Sequence, residues 1–275
     1  MDISSSIVLG VVQGITEFLP ISSSGHLVLI QNLLGFREPE LLFDIGLHLG
    51  TLLAVCVFFF RDLRAMALET AGFLGSLVSR EKGLRQITEY PHAFLLLWVV
   101  VGTIPTGLIG VCFKTPLESL FGSVRVVGFM LMCTGLILVA TKKLPETYAR
   151  RNSVGLFAAL AVGVAQGIAI IPGISRSGST IVCGMFCRVQ RETAARFSFL
   201  LSIPATLGAM AVQVASEGLG RGALPAIALG FIVSAVVGLL ALKILMGMVR
   251  KGRLYYFAPY CWAVGLLIIF LSFHP

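Results

Sequence analysis

Two apolar stretches of this chain break in the same way, and that repetition limits its fold more than any other feature. The first reads Gln13-Gly-Ile-Thr-Glu-Phe-Leu-Pro-Ile-Ser-Ser-Ser-Gly-His26, the second Gln166-Gly-Ile-Ala-Ile-Ile-Pro-Gly-Ile-Ser-Arg-Ser-Gly-Ser179. Gln13 and Gln166, Ile15 and Ile168, Ser22 and Ser175, and Gly25 and Gly178 are each 153 residues apart. In each copy proline ends an apolar helix, and small polar residues follow where a membrane segment would stay hydrophobic. Paired interruptions of this kind point to a membrane protein built from two related halves, with its site at the breaks.

The rest of the chain agrees. Of its 275 residues 57% are hydrophobic and only 12% charged, against about a quarter charged in soluble domains. Several apolar runs reach the roughly 20 residues that a bilayer demands. The formal charge of +8 sits in short clusters between these runs, which is the pattern that orients membrane proteins. A nucleic-acid binder would gather such charge on one soluble face, so no nucleic-acid partner is expected. Cys56, Cys112, Cys133, Cys183, Cys187 and Cys261 lie in or near apolar segments without zinc-ligand spacing, and read as inert thiols. The first apolar run has no basic region before it, so no removable signal peptide is expected.

Taken in order, the chain predicts an all-α integral membrane protein. Residues 3–18 and a helix from Ser22–Ser24 to about Leu34 are each too short to span, and form a re-entrant pair. The hydroxyls of Ser22 to Ser24 offer an N-cap to the second of them. A span over 43–60 and an amphipathic interfacial segment over 62–91 follow, with Arg80, Lys82 and Arg85. Spans over 93–113 and 122–141 are joined by a turn around Pro116. The second half repeats the plan: a broken pair over 154–171 and 175–188, then spans over 193–215, 222–247 and 254–273. Phe43-x3-Leu47 is matched by Phe197-x3-Leu201. The two repeats are 1–141 and 142–275, each one re-entrant pair plus three transmembrane helices. An odd number of crossings per repeat makes the second copy enter inverted. The basic clusters at 61–85, 142–151 (including Arg150 and Arg151), 188–196 and 250–253 then fall on one side, expected to be cytoplasmic. The turns near 114–121 and 216–221 fall on the other. The first loop enters from outside, the second from the cytoplasm, and the two are expected to meet near mid-membrane.

The loops differ in chemistry. Pro172-Gly-Ile-Ser-Arg-Ser-Gly-Ser-Thr180 sets Arg176 at the start of a half-helix among hydroxyls and glycines, an arrangement suited to phosphate. Ser175, Ser177 and Thr180 are candidate substrate contacts, joined by Gln13, Ser22 and Ser24 from the first loop. Glu17 can bind a divalent cation or act as acid or base. His26 titrates near neutrality, and Ser23 precedes it by three residues, so a helical start sets hydroxyl and imidazole on neighbouring faces. Either Ser23 attacks phosphorus with His26 as base, or His26 activates water. Asp44 and His48, four residues apart on the first span, either line the site or hydrogen-bond one another and nearby backbone.

These motifs carry a resemblance. Gln13-x3-Glu17 with Pro20-Ile-Ser-Ser-Ser-Gly-His26, and the later Pro172–Thr180 segment, are similar to the bacterial undecaprenyl pyrophosphate phosphatase family of the bacitracin-resistance type. The resemblance covers the whole chain in length, span order and both motifs. It implies an integral inner-membrane enzyme, with its site open to the periplasm, that removes the terminal phosphate of undecaprenyl pyrophosphate. The product is the lipid carrier of peptidoglycan precursors, and the activity confers bacitracin resistance. The resemblance also implies a divalent cation, Mg2+ or Ca2+, with membrane lipids and the lipid pyrophosphate as partners; a homodimer is left open. The family's paired acidic motif falls on Gln13 and Glu17, its serine–histidine pair on Ser23 and His26, and its arginine motif on Ser175, Arg176 and Thr180. Where many relatives carry glutamate this chain has Gln13, which leaves Glu17 as the carboxylate for metal or acid–base work. On physical grounds alone, inverted repeats with broken helices also suit a transporter or flippase for polyprenyl phosphate.

Overall fold

Small residues on facing helices let several backbones approach closely, around a core that includes Phe18, Phe59, Phe197 and Phe199. The computed structural model describes residues 3–35, 41–79, 83–121, 123–145, 148, 151–217 and 224–273. Arg80, Lys82, Arg150 and most of the 216–221 turn lie outside the described residues. In order the helices are α1 (Ile3–Phe18), α2 (Ser23–Leu33), α3 (Leu41–Phe58), α4 (Phe60–Val78), α5 (Pro91–Cys112), α6 (Lys114–Phe121), α7 (Val124–Ala140), α8 (Leu156–Ile168), α9 (Arg176–Phe186), α10 (Arg191–Glu217), α11 (Leu224–Arg250) and α12 (Ala258–Leu271). Among the described residues the only extended pairing is an isolated parallel bridge between Arg151 and Val189.

Five helical segments are long and apolar enough to cross a membrane: Pro91–Cys112, Val124–Lys143, Arg191–Ser216, Leu224–Arg250 and Leu254–Leu271. Helices α3 and α4 qualify only together, and they are bent by 71° at their junction. The span expected at 43–60 is therefore one arm of a bent pair, and the segment expected to be interfacial opens as the other arm. Neither proline nor glycine makes this bend. Phe59 is buried there against Phe58 and Phe199, and Asp62 on the next turn is paired with Arg196 of α10. Helix α4 is tied to α5 by Glu69, whose carboxylate accepts from the His92 and Ala93 backbone N–H groups at 2.7 and 3.3 Å. It thereby fills the role of a cap at the start of that helix. The turn expected around Pro116 is the short helix α6, with Pro116 in its first turn, where a missing N–H costs nothing.

Helix α1 packs on α11 and α8 packs on α5; α3 also lies on α11, as α10 lies on α5, and α7 pairs with α12. Gly10 and Gly14 of α1 and Gly163 and Gly167 of α8 make these approaches, and each pair is separated by 153 residues from its twin. A Cβ on Gly163 would stand 2.1 Å from the Gly102 carbonyl oxygen, and one on Gly14 2.9 Å from the Gly238 nitrogen. Small faces four residues apart let helix backbones touch, the usual device for packing helices in lipid. Phe43, Leu47, Phe197 and Leu201, the matched pairs from the two halves, are all buried.

The breaks end up side by side. A Cβ on Gly178 would lie 3.2 Å from Pro20 Cβ, and one on Gly25 would lie 3.8 Å from Gly173 Cα. Those contacts are reciprocal, since Gly25 corresponds to Gly178 and Pro20 to Gly173 at the same 153-residue offset.

Candidate functional site

At the junction of the two loops a carboxylate and a guanidinium face each other. Glu17 comes from the last turn of α1, Ser23 is the first residue of α2, and Arg176 is the first residue of α9. Arg176 pairs through Nη2 with Glu17 Oε1 and donates from Nη1 to Thr206 Oγ1 of α10 at 2.7 Å. Ser23 Oγ donates to Glu17 Oε2 at 2.7 Å, and Gln13 Nε2 donates to the same oxygen at 3.1 Å. The buried acid thus accepts from three side chains. A charge at this depth is tolerable only when so compensated.

The two helix starts are built differently. Ser175 caps α9 conventionally, its Oγ accepting from Gly178 N–H at 3.1 Å. Ser22, its counterpart, sits at φ 68°, ψ 100° and makes no side-chain cap bond. The N-cap expected of Ser22–Ser24 is therefore absent in its hydrogen-bonded form. Instead Ser22 Oγ lies 3.3 Å from Ser24 Oγ, and the Ser22 carbonyl accepts from His26. A non-glycine residue in the left-handed region is uncommon. Here it frees Ser23, the next residue, to turn its hydroxyl toward Glu17. Gly173, at φ 95°, answers a tighter need: a side chain there would strike the Val127 carbonyl at 2.4 Å. The Gly173 carbonyl accepts from Thr134 Oγ1 at 2.9 Å, and the same hydroxyl accepts from Ser175 N–H at 3.0 Å, which pins the second loop to α7.

Not all the predicted residues converge. Gln13, Glu17, Ser23 and Arg176 form one cluster. Ser177 lines a cleft beside it, and Ser175 Oγ lies 3.2 Å from Ser177 Oγ. Thr180 donates to the Arg176 carbonyl at 2.7 Å and is hydrogen-bonded to Ser198, so it braces the start of α9 from behind. The expected Ser23–His26 partnership has no hydrogen bond. His26 Nδ1 is 2.8 Å from the Ser22 carbonyl, and Nε2 is 2.8 Å from Tyr260 Oη. The carbonyl can only accept, so Nδ1 carries the proton and Nε2 accepts from the tyrosine. Ser23 donates to Glu17 instead.

Of the Asp44–His48 pair, only His48 joins the cluster. Asp44 accepts from Gln31 at 2.8 Å. His48 Nδ1 lies 2.9 Å from Gln13 Nε2 and 3.8 Å from Glu17 Oε2. Three further residues, Ser198, Ser202 and Thr206, escaped the sequence reading. They recur every fourth position along α10 and face the two small clefts around Glu17 and Arg176, each of about 10 Å³. Their signal was legible: continuing the Phe43/Phe197 match sets Asp44 against Ser198 and His48 against Ser202.

Among the described residues no three His, Cys, Asp or Glu side chains gather as a metal cage. Gln13 Oε1, however, is buried without a hydrogen-bond partner, on the same amide whose Nε2 donates to Glu17, and an amide oxygen and a carboxylate are donors that suit a hard cation.

The chemistry of this arrangement is anion handling: a cation, hydroxyls and a capped helix start on one side, an acid paired with a hydroxyl on the other. Comparison with known proteins agrees in kind. Residues 6–267 match the family described as bacitracin resistance protein BacA. A protein of Desulforapulum autotrophicum named undecaprenyl-diphosphatase is 46% identical over 274 residues, covering 99% of both chains. One of the same name from Desulfatibacillum aliphaticivorans is 48% identical, covering 97% of this chain and 98% of its own. An archaeal one, from Methanosphaera stadtmanae, is 41% identical and covers 99% of each.

Proposed function

Because the chain belongs to the bacitracin resistance protein BacA family, we propose that it is an undecaprenyl-diphosphatase, hydrolysing undecaprenyl pyrophosphate to undecaprenyl phosphate and inorganic phosphate. It is a multi-pass membrane protein. The observation that carries the catalytic reading is the shared carboxylate: Glu17 accepts at once from the Ser23 hydroxyl and from Arg176. A carrier needs an anion site, whereas a nucleophile held 2.7 Å from a base is what group transfer requires. The transporter reading is not favoured.

In the proposed reaction the pyrophosphate enters between the loops and takes Arg176, with Ser177 and the α9 backbone N–H groups, onto its terminal phosphate. Ser23 Oγ bonds to the terminal phosphorus while its proton passes to Glu17 Oε2. The bond to the bridging oxygen breaks, and its electron pair leaves on undecaprenyl phosphate. Once Glu17 has released that proton to solvent, it takes one from an attacking water and returns it to Ser23 Oγ as phosphate departs. Most of the acceleration in such chemistry is electrostatic, from cations fixed where phosphoryl charge develops. Glu17 and Gln13 Oε1 are the donors that fit Mg2+ or Ca2+. They are too few to enclose an ion, so phosphate oxygens and water would complete its shell. Bound there, the ion would neutralise charge on the pyrophosphate.

Finer features belong to the same proposal. The reciprocal packing of α1 on α11 and α8 on α5, with the loop-to-loop contacts, supports an inverted repeat dividing at 141/142. The short helices of each pair, α1–α2 and α8–α9, suit re-entrant segments. The basic clusters support a cytoplasmic side shared by residues 61–85, 142–151, 188–196 and 250–253, and a site open to the periplasm of the inner membrane. The test is phosphate release from undecaprenyl pyrophosphate by purified protein, with rapid acid quench. Glu17→Gln and Ser23→Ala are expected to lose at least about 100-fold in rate, and Ser23→Ala to lose the phosphoserine. A Ser23→Ala variant at full rate would sink the nucleophile, and unchanged release by Glu17→Gln would sink the acid–base assignment.

A further inference from the structure

His48 is the imidazole that faces the unfilled space, and its hydrogen-bonding state can be read from its neighbours. The Glu17 carboxylate, ionised beside Arg176, can only accept, so the Gln13 amide atom turned to it is the nitrogen. That same nitrogen lies 2.9 Å from His48 Nδ1. An amide nitrogen donates and does not accept, so Nδ1 carries a lone pair and the neutral ring holds its proton on Nε2. Among the described residues Nε2 has no protein partner. The His48 side chain is 36% exposed and lines the cleft together with Glu17, Arg176, Ser202 and Thr206. His26, in contrast, has both ring nitrogens occupied.

We propose that His48 is a substrate-contacting residue, donating its Nε2–H to a phosphoryl oxygen of the pyrophosphate opposite Arg176, and that Gln13 is the positioning residue that fixes this tautomer. The proposal rests on the phosphatase reading of the site and deepens it. It also gives Gln13 a purpose that a second carboxylate could not serve: an acid there would draw the proton to Nδ1, whereas the amide sends it to Nε2. Glu17 then has two dedicated neighbours, Ser23 for chemistry and Gln13 for alignment, while the cleft gains a neutral donor that adds no further charge to the interior.

The test uses full-length protein in detergent. With undecaprenyl pyrophosphate, His48→Ala is expected to lower kcat/KM about 10- to 100-fold, and His48→Gln, which restores an N–H donor, to stay within about threefold of the parent. Protein labelled with 15N in the histidine rings should show a His48 signal of the Nε2–H form. Methylene diphosphonate, which the enzyme cannot cleave, should shift that signal. Wild-type kcat/KM in His48→Ala, a His48→Gln variant as impaired as His48→Ala, or an Nδ1–H signal would each overturn the proposal. A parent protein that releases no phosphate while the diphosphonate still shifts His48 would remove the phosphatase reading and leave His48 as an anion contact.

Discussion

Gln13 is the residue at which this chain departs from the pattern it resembles, and its surroundings predict what an acid would do there. Its amide touches Glu17 and His48 at 3.1 and 2.9 Å, and its oxygen is buried and unpartnered. Gln13→Glu would set two carboxylates against one guanidinium, an oxygen-rich pair far better suited to a hard cation. Ca2+ binding, read by calorimetry on the purified protein, is expected to tighten by at least about tenfold; unchanged affinity would remove Gln13 from the cation argument. Tyr260 offers a second residue-level prediction. Tyr260→Phe deletes one hydrogen bond, to His26, and should cost about 1 kcal/mol in thermal unfolding. At this scale the sequence named Glu17, Ser23 and Arg176 because each sits at a break where local chemistry is informative. It took His26 as the partner of Ser23 and left His48 as a residue that either lines the site or bonds its neighbours. The place of His48 depends on α3 coming alongside α1, which is a tertiary event, and the short spacing from Ser23 to His26 pointed to the nearer histidine in sequence.

Among the helices the breaks at proline were legible, and so was the end of the first span near residue 60; that a second long helix follows it at once, bent by 71°, was not. Pro20 and Pro172 lack a backbone donor and clash with the preceding helical turn, so they announce themselves. The run Phe58-Phe59-Phe60 carries neither proline nor glycine, and at its 71° bend Phe59 packs on Phe199 of another element. Glycines give the cleanest test of how the elements are held. Gly163→Ala places a methyl 2.1 Å from the Gly102 carbonyl oxygen and must part α8 from α5, at about 1–3 kcal/mol. Gly107→Ala, on α5 with open space around it, should be neutral or stabilising by up to about 1 kcal/mol. The melting temperatures of the two variants in one detergent should therefore move in opposite directions or differ by several degrees. If both melt alike, close glycine packing is not what joins these helices.

For the whole molecule, the decisive fact is that the site belongs to neither half alone. Glu17, Ser23 and His48 lie before residue 142 and Arg176, Ser202 and Thr206 after it. Residues 1–143 and 144–275 made as separate chains should each be inactive and should regain phosphate release when co-expressed. Activity from either alone would refute a composite site. The 153-residue offset between the two motifs could be read from the sequence, whereas the partner of each helix could not, because small faces on α1 and α8 do not say which span they meet. Arg176 has a counter-ion in Glu17, so no bare cation is stranded in the interior. In the proposed reaction an arriving phosphate displaces that carboxylate, and a departing one is replaced by it. Turnover is then an exchange of anions around one fixed guanidinium. The exchange loosens the hold on substrate and product alike, while the pull on the phosphoryl group remains for the moment its charge is greatest.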